Sequence, residues 1–442
     1  MKRILRITPL ALLTVATMAP AQQRPPIRQL GAVVAKSGET FTQVGGVRAL
    51  SNGSVLVNDV PGRRVLMFDP LLAKFTVLAD STSATANAYG GRTGALVAYR
   101  GDSSIFIDPT SVSMLIIDPA GKVARVMAIP RAEDAAAMGS GLGTTAFDAR
   151  GRLVYRAGAR MQFTQGAARR IEGAVGGGAF VPPQIPDSAL ILSVDLTTRK
   201  VDTVGFIRTP KVKMEMKQDD KGNVSMMSTL NPLPVIDDWA MLPDGSIAIV
   251  RGRDYHVDWV NADGSRSSST KIPFDWQRMT DEDKVAFIDS LKVARERLGA
   301  NAPVVAGSAA PGAPGGGGGG APQVQIFMGP GGPGGGPPGG RPGGPGTPQM
   351  NFVPANELPD YKPPFLSNST RADTEGNLWV RTIPTSAVAG GPVYDVINRK
   401  GELVERVQIP VGRTIIGFGT GGAVYLLNRD GTTATLERAT VR

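Results

Sequence analysis

WAMLPDGSIAIVRGRDYHVDWVNADGS, residues Trp239 to Ser265, holds two runs of alternating apolar residues, each entered or left through an Asp-Gly turn. Period-2 alternation marks strands, and an Asp-Gly pair supplies the left-handed backbone of a two-residue hairpin turn. The glycine before the first run returns along the chain as Gly53 (SNGSVLVN), Gly101 (RGDSSIFID), Gly151 (DARGRLVYR), Gly245 (PDGSIAIVR), Gly376 (DTEGNLWVR) and Gly422 (GTGGAVYLL). Successive copies lie 48, 50, 94, 131 and 46 residues apart, so three gaps agree and two carry insertions.

Each copy continues into a second apolar run, such as RRVLMFDP or HVDWVNADGS, and then a third, such as KFTVLAD or LVERVQIP. With an innermost strand before the glycine, each unit holds four antiparallel strands, and six such units form a six-bladed β-propeller. A β-sandwich or a pair of β-domains is the competing reading. The last unit lacks chain for a fourth strand, which Ile27 to Ala35 is expected to supply, closing the ring and covering an open edge. The all-β domain is assigned to residues 22–442, with an insertion at 275–365.

Composition fits one large domain. The chain has 442 residues, 41% of them hydrophobic, with 48 Lys and Arg against 38 Asp and Glu, no cysteine and one histidine. The excess of ten positive charges favours anionic partners weakly. No disulfide staples the fold. Residues 1–21 carry the pattern of an export signal: basic Lys2, Arg3 and Arg6, an apolar stretch from Ile7 to Met18, and a small-x-small site at Ala19 to Ala21. A periplasmic or secreted protein is expected, monomeric and without a transmembrane span. Nucleic acid is an unsuitable partner, because the chain lacks a basic run interleaved with aromatics.

The sequence resembles six-bladed propellers of the NHL and TolB-like kind. PDGSIAIV, DARGRLVY and DTEGNLWVR carry the resemblance, and the stretch from Pro363 to Pro410 looks most like secreted bacterial propellers. These are turn and core positions, so the resemblance implies a fold and no particular chemistry.

On such a scaffold the turns at each unit's glycine and those after its third strand lie on one face and are all tight. The long connections, Arg131 to Leu142, Gly158 to Ser188, Lys211 to Pro234, Phe274 to Phe365 and Thr382 to Pro392, belong to the other face. Binding sites on rigid scaffolds concentrate on the loop side. Within the largest connection, Thr280 to Asp283 reads as a capping box opening a helix, with Phe287, Leu291, Ala294 and Leu298 at helical spacing. Residues 301–350 then carry 19 glycines and 11 prolines, a composition expected to be disordered.

The candidate ligand-binding residues follow from this placement. Arg156, Arg251, Arg253, Arg371 and Arg381 fall at loop-side strand ends, a funnel suited to a carboxylate, phosphate or sulfated sugar. Trp239 and Tyr255 are expected to stack a ligand beside them. His256 and Asp258 share a strand face, so the carboxylate can orient the imidazole. Salt bridges from these arginines to Asp237, Asp238, Asp254 and Asp373 are the structural alternative. No catalytic residue is assigned: one histidine and no cysteine nearly close a zinc site and exclude haem attachment, and no serine stands in a nucleophile elbow.

The expected function is therefore non-catalytic binding of a protein partner or an anionic small ligand on the loop-rich face, without a cofactor. The alternative is a calcium-dependent hydrolase or lyase of the gluconolactonase kind, with oxygen ligands drawn from Asn58, Asp59, Asp108, Asp237, Asp238 and Asn428.

Overall fold

The computed structural model describes residues 24–139, 144–158, 186–218, 224–298, 305–306, 324–325, 349–385 and 390–441. The export signal lies outside them, as does most of the Gly/Pro-rich stretch. Within that stretch Val305–Ala306 pairs with Val324–Gln325, and at its end Gln349–Phe352 is a strand, so the expectation of disorder fails at these described residues.

Among the described residues six sheets with four antiparallel strands each follow one another, the fifth taking one further strand in parallel. Their second strands are Val55–Asp59, Ser104–Asp108, Leu153–Arg156, Ile247–Arg251, Leu378–Arg381 and Ala423–Asp430, each entered through one of the repeat glycines. All six of those glycines have positive φ, from +60° at Gly101 to +87° at Gly376. The turn at Gly245 holds three residues rather than the expected two. Leu242 N–H donates to Ser246 O and Gly245 N–H to Leu242 O, while the Asp244 carboxylate accepts from Ser246 N–H.

Apolar cores between successive sheets close these units into a ring. Leu56 and Phe106 belong to the core between the first and second sheets, Tyr155 and Ile105 to the next, and Trp239 and Val154 to the one between the third and fourth. Val257 and Leu378 share the fourth junction, Trp379 and Leu426 the fifth, and Tyr425 joins Val57 where the sixth sheet meets the first. Six junctions for six sheets make a closed β-propeller. Each fully buried large apolar side chain contributes roughly 1.5–3 kcal/mol.

Half-burial does not describe these strands. The second strands of the first two sheets are buried at every residue, because both faces of a blade meet neighbouring blades. Outer strands such as Val123–Ala128 are mostly exposed.

The N-terminal segment crosses two blades. Ile27–Gln29 pairs in parallel with Leu403–Gln408 as a fifth strand of the fifth sheet. Val33–Phe41 then pairs with Thr433–Thr440 and completes the sixth. The closing strand is thus Val33–Phe41, not Ile27 to Ala35.

Long connections build a small module against the ring. A hairpin of Val212–Gln218 and Val224–Leu230 takes Gln349–Phe352 as a parallel third strand. Helix Asp281–Leu298 follows Thr280, whose hydroxyl accepts from Asp283 N–H while the Asp283 carboxylate accepts from Thr280 N–H, as the capping box requires. Its Ile288 packs with Val353 and Leu358. No helix among the described residues is long and apolar enough to cross a membrane.

Candidate ligand-binding cleft

The third and fourth sheets part at their loop ends into a cleft of about 390 Å³. Phe206 and Arg208 reach it from the outer strand of the third sheet, and Arg251, Arg253, Asp254 and His256 from the fourth. The fourth sheet turns there within four residues, Gly252 to Tyr255. Gly252 is required at this corner, since a Cβ would lie 2.0 Å from the carbonyl oxygen of Ile236.

Arg251 is held inside the protein. Its Nε donates to Asp258 Oδ2 at 2.7 Å and its Nη1 to Asp237 Oδ2 at 2.8 Å and to Phe206 O at 3.1 Å. Burial opposes its charge, but the hydrogen bonds to Asp258 and Asp237 outweigh that and raise its pKa. The alternative reading expects an interblade ion pair here; Arg251 does pair with Asp237, but Asp237 and Asp258 both belong to its own fourth blade, and only the bond to Phe206 O crosses to the third.

His256 lies between two carboxylates, with Nδ1 2.8 Å from Asp254 Oδ1 and Nε2 3.2 Å from Asp258 Oδ1. Asp258 also accepts from Ser268 Oγ at 2.6 Å. Burial pushes the Asp258 carboxyl up, and its bonds from Ser268 and Arg251 bring it below the usual range. Arg253 and Arg208 stay exposed, and neither side chain has an ion pair among the described residues. They are the uncommitted positive charge of the cleft, and Arg208 escaped the sequence reading because it sits on an outer strand.

The remaining candidates disperse. Trp239 and Tyr255 are fully buried, which rules out ligand stacking on the surface. Trp239 fills the core between the third and fourth sheets. Tyr255 packs against Phe274 and Phe365 and donates to Asp395 Oδ2 at 3.0 Å. Arg371 donates to Ile415 O across the fifth junction, and Arg381 ends a strand of the same fifth sheet. The arginines therefore do not converge on one mouth: Arg156, Arg251 and Arg253 border the third junction, and the other two belong to the fifth sheet.

The oxygen ligands nominated for calcium have other work. Asn58 accepts from Tyr89 Oη and donates to Gly94 O, and Asp59 pairs with Arg64 at 2.6 Å. Asp108 caps Thr110 and Ser111, Asp238 accepts the amides of Ser369 and Thr370, and Asn428 donates to Glu437. Among the described residues no group of three or more His, Cys, Asp and Glu is placed to hold a metal.

No family model and no curated protein matches the chain. Solved structures do. A gluconolactonase from Xanthomonas campestris is 10% identical, with 96% of this chain and 99% of that one covered and a TM-score of 0.38. The calcium-binding protein regucalcin from Agrobacterium tumefaciens gives 10%, 94%, 98% and 0.40. A PQQ-bound aldose sugar dehydrogenase from Streptomyces coelicolor gives 10%, 95%, 100% and 0.38. Likeness at this level carries no argument about chemistry, and the fold rests on the chain's own six sheets.

Proposed function

We propose that this protein is an exported, monomeric propeller of the NHL and TolB-like kind that binds an anionic small ligand or an acidic partner on its loop-covered face, without catalysis. The observation that supports it is the cleft between the third and fourth sheets, where Arg208 and Arg253 stay exposed and, among the described residues, without an ion pair beside the paired Arg251. Two uncommitted guanidinium groups at one rim attract and orient carboxylate or phosphate oxygens. Replacing both by alanine is expected to weaken citrate binding at least tenfold in calorimetry, with no loss of melting temperature. Citrate binding at unchanged affinity would remove the reading.

A second reading, a hydrolase or lyase of the lactonase kind, is favoured by Asp238. Burial pushes its carboxyl up to about 6, against hydrogen bonds from Thr370, Trp239 and Ser369, and it is coupled electrostatically to Arg156. Perturbed carboxyls beside a charged partner are frequent at catalytic sites. The test is lactone hydrolysis in a pH-stat, with and without calcium. Turnover that Asp238→Asn lowers a hundredfold supports an enzyme, and a rate equal to buffer in both conditions removes it.

A further inference from the structure

Arg156 ends the second strand of the third sheet and pairs across it with Ile191, as Val154 pairs with Ser193. Paired residues project to the same side of a sheet, so these four side chains share one face. Ile191 and Val154 on that face pack with Trp239 of the fourth sheet, so Arg156 faces the third junction at its loop end.

Three polar atoms on this junction have no hydrogen-bond partner: Arg156 Nε, Ser193 Oγ and Trp239 Nε1, all buried. Arg156 is the most demanding of them. Its guanidinium has no hydrogen bond or ion pair among the described residues. Burial lowers its pKa, and the charge that offsets this is Asp238, whose Oδ2 is turned to the amides of Ser369 and Thr370. The Arg156 Nε is withdrawn from water without an acceptor while the rest of the side chain stays partly exposed, and a buried donor left unmatched destabilises a fold unless an acceptor arrives.

We propose that Arg156 is the receptor of a carboxylate, bound at the loop end of the third junction with Trp239 Nε1–H as a second donor. This deepens the binding function proposed above and rests on it, since Arg156 faces the same third junction that the cleft of Arg208 and Arg253 borders. Donors without acceptors specify an anion. One guanidinium beside one acid suits a single planar carboxylate group of the ligand, because the second charge of a phosphate, held on the same centre, would lie unpaired near Asp238.

The test is calorimetry of the mature protein with succinate, and with inorganic phosphate for comparison, alongside thermal melting. Wild type is expected to bind succinate more tightly than phosphate. Arg156→Met loses at least tenfold in succinate affinity, Arg156→Lys regains part of it as a point charge without the fork, and Trp239→Phe loses less than Arg156→Met. A group kept for a ligand at the expense of stability also has a thermal signature: unliganded Arg156→Met melts a few degrees higher than wild type. Unchanged succinate affinity in Arg156→Met, or a lower melting temperature for it, overturns the assignment. Arg208→Ala with Arg253→Ala, run in parallel, separates the two claims. If that protein alone loses binding, the cleft stands and the Arg156 site falls, and if wild type binds neither anion, both fall.

Discussion

Asp238 opens the innermost strand of the fourth sheet, and its carboxylate accepts amide hydrogens from Ser369 and Thr370 of the next sheet. It thereby ties two blades together, with the charge held out of water. Its folded-state pKa of about 6 lies above the ordinary 3.8, so the folded protein holds this proton more tightly than the unfolded chain does. Stability from this group is complete below pH 4, falls as pH rises through 6, and is level above; the loss is about 3 kcal/mol. Asp238→Asn keeps an acceptor for both amides and cannot ionise. Melting curves between pH 4 and 7 are expected to show a decline in wild type that the variant lacks. A parallel decline in both proteins would mean that Asp238 ionises without cost.

At this scale the sequence was a partial guide. His256 and Asp258 meet as alternation along one strand required. Trp239 and Tyr255 went astray for a physical reason: alternation sorts side chains onto two faces, and in a ring of blades both faces are interior. Arg251 pairs within its own blade and Arg371 bonds across to the next, and strand periodicity carries no record of either.

The tight turns are the elements read best, because their glycines answer a local backbone need. Gly245 and Gly376 occupy equivalent turns with φ of +81° and +87°. They differ in surroundings. A Cβ on Gly245 would lie 2.2 Å from the amide nitrogen of Ala149 in the third sheet, whereas one on Gly376 meets nothing within 4 Å. Gly376→Ala is expected to cost about 1 kcal/mol, the left-handed penalty alone. Gly245→Ala adds a backbone clash and costs clearly more, which denaturant melts of the two variants would show. Equal costs would mean that the third and fourth sheets can separate there freely.

The helix was legible from its cap and its apolar spacing, although Ile288, which carries much of its packing, was not among the positions singled out. Thr280→Ala removes the hydroxyl that accepts from Asp283 N–H and is expected to cost about 1 kcal/mol. Hydrogen exchange should speed up in the first turn of the helix and leave the six sheets unchanged. The hairpin at Val212–Gln218 and Val224–Leu230 was read as a plain connection. Its signal, two β-prone runs around Asp-Asp-Lys-Gly-Asn, was present but lay outside the glycine repeat that guided the reading.

For the whole molecule, the repeat gave six units and a ring in need of a strand, while register chose which strand. Val33–Phe41 closes the sixth sheet, and the residues before it reach back across the fifth, where Arg28 pairs with Glu405 at 2.6 Å. Two truncations separate these roles. A chain beginning at Gly31 is expected to remain a folded monomer with a lower melting temperature. One beginning at Gln43 leaves Thr433–Thr440 as an open edge and is expected to aggregate without a cooperative transition. Calorimetry and gel filtration distinguish the two.

Closure also fixes the two faces, one of glycine turns and one of long connections, and so places the cleft between the third and fourth sheets. Its proposed role is put to the test by calorimetric titration with citrate of the wild-type protein and of the variant carrying Arg208→Ala and Arg253→Ala, at low ionic strength where exposed charges are least screened. The account predicts saturable binding to wild type and at least tenfold weaker binding to the variant. Equal affinities, or no binding to wild type, would contradict it.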